Sequence, residues 1–377
     1  MQEWKPKEII IRTSKMRRLI VLIGILLLVT GCGNTFSASE REEIIPPENS
    51  ESSDSLVSVT TQIQKLEKQF SVVRYEGDYG FERFLEQGGA DSDQTVLQFL
   101  TSELSAEAEG LEINTDFFGC STLSVENTEG GYLFGRNFDW QACDALVVMA
   151  YPKTGYASIS TVNLDFIRQG AGFASRFLSD EQLTVAALYA PLDGMNEKGL
   201  CVSVNMIQDG ATIQQNTEKP DITTTTAIRL LLDQAATVEE ALNLLGQYDL
   251  HASMNYMVHF AIADSTGNSA AVEYIDNQMV VTKTPVLTNF YLAEGEKQGI
   301  GTQQSHTRFE ILTESLEENQ TMTPIQVRDA LDSVSKDNFG EFESTEWSIV
   351  FDQSAFTATY YHRENYKKAY SFQLAVE

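Results

Sequence analysis

Residues 120–140 constrain this chain more than any other stretch. Cys120-Ser-Thr-Leu-Ser-Val and Tyr132-Leu-Phe-Gly-Arg-Asn-Phe-Asp-Trp140 both alternate apolar and polar residues, and Gly130-Gly131 lies between them. Alternation with a period of two turns one face of a strand to a core, and a glycine pair between two such runs predicts a hairpin. A hairpin of this length returns the end of its second strand to the start of its first. Arg136 and Asp139 therefore come near the thiol of Cys120. A cation favours a thiolate, and a carboxylate holds a protonated amine or orients a donor. The arrangement fits a cysteine nucleophile; it also fits a small buried hydrophobe at a strand edge beside an ordinary ion pair.

Further motifs favour the first reading. Cys-Ser-Thr followed by Phe-Gly-Arg-Asn-x-Asp resembles the start of the catalytic chain in the choloylglycine hydrolase family of N-terminal-nucleophile amidases. That family includes bile salt hydrolases, penicillin V acylases, acid ceramidase and N-acylethanolamine acid amidase. The resemblance continues through Gly194-Met-Asn-Glu-Lys-Gly-Leu200 to Asn205, then His259 to Glu273, Val286-Leu-Thr-Asn289 and Ser305-His-Thr-Arg308. It implies an α+β fold, the four-layer αββα sandwich of N-terminal-nucleophile hydrolases. It also implies hydrolysis of linear amides without a cofactor. Between Gly199 and Asn205 the chain is one residue shorter than bile salt hydrolases.

The amino terminus carries a separate signal. Arg17-Arg18 precedes the apolar run Leu19–Val29, which is short for a membrane span but has the basic and apolar regions of a secretory signal. It ends in Val29-Thr30-Gly31-Cys32, which resembles a bacterial lipoprotein cleavage box with Cys32 lipidated. The expected organisation is a signal peptide over 1–31, a Ser-, Glu- and Pro-rich disordered tether over 32–56, a pre-nucleophile segment over 57–119, and the amidase domain over 120–377. The expected location is the outer face of the cytoplasmic membrane. Formal charge is −28, and removing the first 31 residues, with six cations against two carboxylates, makes it −32. Such a charge disfavours nucleic acid and anionic lipid surfaces.

With Cys32 and Cys120 allotted, Cys143 and Cys201 remain. A disulfide between them is permitted outside the cell, and two buried thiols are the simpler reading in a cysteine-poor chain. Cys/His spacing gives no metal site, and His259 falls in a strand pattern as a structural residue. Ile63, Leu66 and Phe70 are spaced for a helix. Phe81, Phe84 and Leu85 predict a short helix ended by Gly88-Gly89, and Asp91 or Ser92 caps another. Helices are also expected over 226–236, after Thr237 with a capping box to Glu240, from Ser305 to about Glu317, and from Thr323-Pro324.

A nucleophilic cysteine needs a base, and no histidine is spaced for it. An α-amine with a reference pKa near 8 serves, which requires Cys120 to become a terminus. The resemblance to acid ceramidase and its relatives, reinforced by Trp140, implies self-cleavage between Gly119 and Cys120. It implies that Arg136 supports the thiolate and Asp139 holds the ammonium. Asn205 and Asn289 flank the oxyanion, each donor contributing roughly 3 kcal/mol, while Arg308 braces the site. The expected partner is a small N-acyl amide. Phe166, Phe173 and Phe177, within 163–180, are either a cover for its acyl group or core. An acyltransferase acting on an acceptor other than water is the alternative, and a non-catalytic binding lipoprotein is a further one.

Overall fold

The structure is a computed structural model that describes residues 56–104, 119–170, 178–337 and 343–375. Residues 1–55, with the signal, Cys32 and nearly all of the tether, lie outside the described residues, as do Phe173 and Phe177.

Among the described residues, two sheets form the centre. The strands of the nine-stranded sheet run in the order Gln64–Glu67, Phe70–Gly77, Ala145–Pro152, Ser158–Asn163, Asp193–Asn196, Cys201–Met206, Val258–Ala263, Ser269–Ile275 and Gln278–Lys283. The second sheet runs Val286–Leu287, Cys120–Asn127, Tyr132–Trp140, Ser344–Asp352, Thr357–His362 and Ala369–Gln373, with Thr321–Met322 joining Cys120–Asn127 in parallel. The expected hairpin is present, with Gly130 and Gly131 both at positive φ, where glycine carries no Cβ penalty.

Alternation along this hairpin sorts its side chains. Leu123, Val125 and Leu133 join a core with Leu312, Val327 and Leu331 from the helices Gln303–Glu318 and Pro324–Asp332. Burying a leucine or valine there contributes about 1.5–3 kcal/mol. Cys120, Phe134 and Phe138 face the other way, into the larger core shared with the nine-stranded sheet. Thr224–Gln234 and Val238–Leu245 cover the far face of that sheet. The layers are helix, sheet, sheet, helix.

The segment before Cys120 is built into this frame, because Phe70–Gly77 pairs in parallel with Ala145–Pro152 along its whole length. Ile63, Leu66 and Phe70 do not form a helix: two antiparallel strands meet at a tight turn where Gln69 has φ 64°. Ser92 caps the helix Asp93–Leu104 by accepting from Thr95 N–H. The helix expected over 226–236 runs instead over Thr224–Gln234. Thr237 accepts from Glu240 N–H, but the Glu240 carboxylate takes Ala236 N–H, one residue before the capping-box position. Thr323 and Gln326 complete a full box.

Candidate active site

The hairpin register pairs Cys120 with Phe138 and Thr122 with Arg136. Cys120 and Arg136 thus lie on one face, turned toward the nine-stranded sheet. Arg136 is fully buried. Its Nε lies 3.3 Å from Asp193 Oδ2, Nη1 donates to Asn205 Oδ1 at 2.9 Å, and Nη2 donates to the Val204 carbonyl at 2.9 Å. Burial alone would depress the guanidinium, but the Cys120 sulfur and Asp193 carboxylate beside it hold its proton, so the net shift is upward. Burial pushes the Asp193 carboxyl up, against the pull of Arg136 and Trp347.

Cys120 N–H donates to Asn289 Oδ1 at 2.6 Å. The same oxygen accepts from Arg308 Nη2 at 2.7 Å, so two donors fix the orientation of this amide, and Asn289 Nδ2 donates to the Met206 carbonyl at 2.6 Å. Arg308 Nη1 donates to the Cys120 carbonyl and to Ser121 Oγ, both at 2.7 Å, and lies 3.3 Å from Asp139 Oδ2.

Asp139 occupies the opposite face of its strand from Arg136. Its N–H donates to the Gly119 carbonyl at 2.9 Å, and its Oδ1 accepts from Thr345 at 2.7 Å. In the joined chain the Cys120 N–H is held by Asn289. Asn205 also sits differently from the expectation of an oxyanion donor. Its Nδ2 faces the carbonyls of Leu287 (3.3 Å) and Thr288 (3.2 Å), while its oxygen holds Arg136. The structure brings the six expected residues into one connected network, with Asn205 set behind Arg136.

Other participants were not legible beforehand as site residues. Asp193, one residue ahead of the Gly194 motif, anchors Arg136. Glu273 is fully buried and accepts from His259, Leu292 N–H and Ala293 N–H, so it ties down the loop just after Asn289. His259 also bonds the Thr288 carbonyl at 2.9 Å, consistent with a structural histidine. Cys143 and Cys201 are buried and free, and burial pushes both thiols well up.

Cys120 opens on a small apolar cavity lined by Phe138, Trp140, Phe166, Val204, Met206 and Tyr256, among others. Phe166, Thr225, Ser253 and Met254 also border a second apolar cavity. Its other wall comes from Val96, Leu97 and Leu100 of the pre-nucleophile helix. The Ser253–Asn255 turn between the two cavities has Met254 at φ 55°, and Asp93 accepts its N–H at 2.7 Å.

An αββα sandwich with a cysteine opening a strand of one inner sheet is the architecture of the N-terminal-nucleophile hydrolases. Residues 120–290 match the family model described as linear amide C-N hydrolases, choloylglycine hydrolase family. The penicillin V acylase of Pectobacterium atrosepticum is 30% identical over 99 residues, 24% of this chain and 26% of the relative. The bile salt hydrolase/transferase of Clostridium perfringens is 28% identical over 180 residues, 45% of this chain and 53% of the relative. The chain thus matches about half or less of these curated relatives. In fold it is similar to a mutant conjugated bile acid hydrolase from Clostridium perfringens, with TM-score 0.52 and 18% identity, covering 68% of this chain and 92% of that one.

Proposed function

We propose that this protein is a cysteine amidase that hydrolyses N-acyl amides carrying an apolar acyl group, after cutting itself between Gly119 and Cys120. The observation that carries the reading is the setting of Cys120: its sulfur beside Arg136, its nitrogen on Asn289, and an apolar cavity in front of it. Freed by the cut, the nitrogen becomes an amine held where its amide N–H now lies. The amine takes the thiol proton as the sulfur attacks the acyl carbonyl, then protonates the departing amine. Water resolves the thioester. Arg136 supports the thiolate, and Asp193 and Asn205 hold Arg136 in place. Asn289 Nδ2 has a second hydrogen beyond the one on Met206, available to the tetrahedral oxyanion. Asp139 and Arg308 secure the Gly119 and Cys120 carbonyls on either side of the cut.

A screen of N-acyl amides with purified protein tests this reading, with Cys120→Ala as the control. Turnover surviving in Cys120→Ala would refute the assignment. Acyl transfer is the second reading, since one relative is named a hydrolase/transferase. Trapping of the acyl group by hydroxylamine or amino acids at the expense of free acid would favour it. Lipidation at Cys32 and an extracytoplasmic location complete the proposal, on the strength of the Val-Thr-Gly-Cys box. Cys32→Ser should then lose its anchorage in membrane fractionation, and unchanged acylation and anchorage would overturn that part.

A further inference from the structure

We infer that Lys336 is the electrostatic partner of the Gly119–Cys120 cut, its ammonium offsetting the negative charge that cutting develops on Gly119. This rests on the self-cleavage reading above. Lys336 is 5% exposed, an unusual burial for a lysine. It pairs with Glu343, and its Nζ lies 3.8 Å from Asp139 Oδ2. A Cβ built on Gly119 would collide with Lys336 Nζ and come within 2.7 Å of Asp139 Oδ2. The ammonium therefore lies against the residue whose carbonyl is to be attacked.

The placement is anchored. Lys336 N–H donates to Thr345 Oγ1 at 2.9 Å, Thr345 N–H donates to the Lys336 carbonyl at 2.9 Å, and Thr345 Oγ1 donates to Asp139 Oδ1 at 2.7 Å. One threonine thus fixes both the lysine backbone and the aspartate.

The chemistry explains the need for a cation. The Cys120 sulfur bonds to the Gly119 carbonyl carbon, and an electron pair moves onto the carbonyl oxygen. The carbon–nitrogen bond then breaks as the thiol proton reaches the departing nitrogen, leaving a Gly119 thioester. Water cleaves the thioester, restoring the thiol and forming the Gly119 carboxylate. In sum, one peptide bond and one water become a carboxylate and an ammonium. Asp139 N–H already holds the carbonyl oxygen at 2.9 Å. The new carboxylate, however, forms beside the Asp139 carboxylate, while the ammonium formed with it sits on the Asn289 side of Cys120, so a cation facing Gly119 offsets the charge added there. Arg308 is committed to Cys120, Ser121, Asp139 and Asn289. Lys336, shared between Glu343 and Asp139, is the cation that lies against Gly119 itself.

The test follows the cut in freshly made full-length chain by intact mass. It compares wild type with Lys336→Met, Lys336→Arg, Gly119→Ala and the Gly119→Ala/Lys336→Met double variant, and thermal melting checks folding. Lys336→Met should cut at least tenfold more slowly than wild type, with Lys336→Arg in between. Gly119→Ala should slow cutting less in the Lys336→Met background than alone, because the added methyl no longer meets an ammonium. Turnover per cut chain is measured alongside, so that slow maturation is told from slow hydrolysis. If Lys336→Met does not fold, Lys336→Gln takes its place. Wild type that cuts while the folded neutral variant cuts as fast overturns this inference alone. Wild type that is active but uncut overturns the self-cleavage reading and this inference with it.

Discussion

Glu273→Gln should weaken the loop behind Asn289 without touching Cys120. The Glu273 carboxylate takes Leu292 N–H at 2.9 Å and His259 at 3.1 Å on one oxygen, and Ala293 N–H at 2.6 Å on the other. Burial pushes this carboxyl up, but His259 and the two backbone donors outweigh it and hold the group below its ordinary value. Glutamine retains one oxygen, so at least one buried backbone N–H meets an NH₂ instead of an acceptor. A lost charge-assisted bond with a stranded buried donor costs about 2–4 kcal/mol. That corresponds to a melting temperature lower by roughly 3–6 °C. Because the strained segment carries Asn289, kcat should fall more than KM rises. Thermal melting and initial rates on one N-acyl amide measure both. A Glu273→Gln protein with wild-type melting and wild-type kcat would refute the claim that this carboxylate holds the loop.

Iodoacetamide at neutral pH should alkylate Cys120, which opens on the cavity, and spare Cys143 and Cys201, whose thiols burial pushes well up, and peptide mapping that finds either of those modified first would count against the assignment. Ala190→Phe, at the wall of the second cavity, should lower kcat/KM for long acyl chains more than for short ones, by about 0.8 kcal/mol per methylene no longer seated. An unchanged chain-length profile would place the acyl group elsewhere. Burial pushes Glu67 up, yet Lys368, Tyr370 and His362 hold it down at about 2 against an ordinary 4.5. Its folded value is depressed, so its contribution is full above about 4.5 and fades as pH falls toward about 2. Glu67 belongs to the segment before the proposed cut and its three partners to the segment after it. Acid should therefore loosen the association of the two chains in that window more in wild type than in Glu67→Gln, as read by size-exclusion chromatography.

The hairpin was legible because alternation and a glycine pair are local signals that tertiary packing only reinforces. Local spacing misled at Ile63, Leu66 and Phe70: a register irregularity between Lys65 and Glu67 and the turn at Gln69 break the period of two, and strand–turn–strand then imitates helical periodicity. Arg136 and Asp139 were readable near Cys120, but which face each occupies decides its partners. The odd–even difference sends Arg136 to Asp193 and Asn205, and Asp139 to Arg308, Thr345 and Lys336. Asp193 and Arg136 are 57 residues apart in sequence, and Lys336 comes later still. The first pairing arises only when the two sheets stack, the second only when the segment after Pro324–Asp332 returns to the second sheet, and no local pattern announces either. Asn205 illustrates the limit of motif transfer: its place in the motif was recognised, but its amide orientation depends on the carbonyls of Leu287 and Thr288 across the fold.

The most direct measurement is intact-mass analysis of active enzyme quenched during turnover of an N-acyl amide. The account predicts two chains, one ending at Gly119 and one beginning at Cys120, with the acyl mass carried as a thioester on the second. Full activity in a chain still joined at Gly119–Cys120, or an acyl group on any other residue, would contradict it.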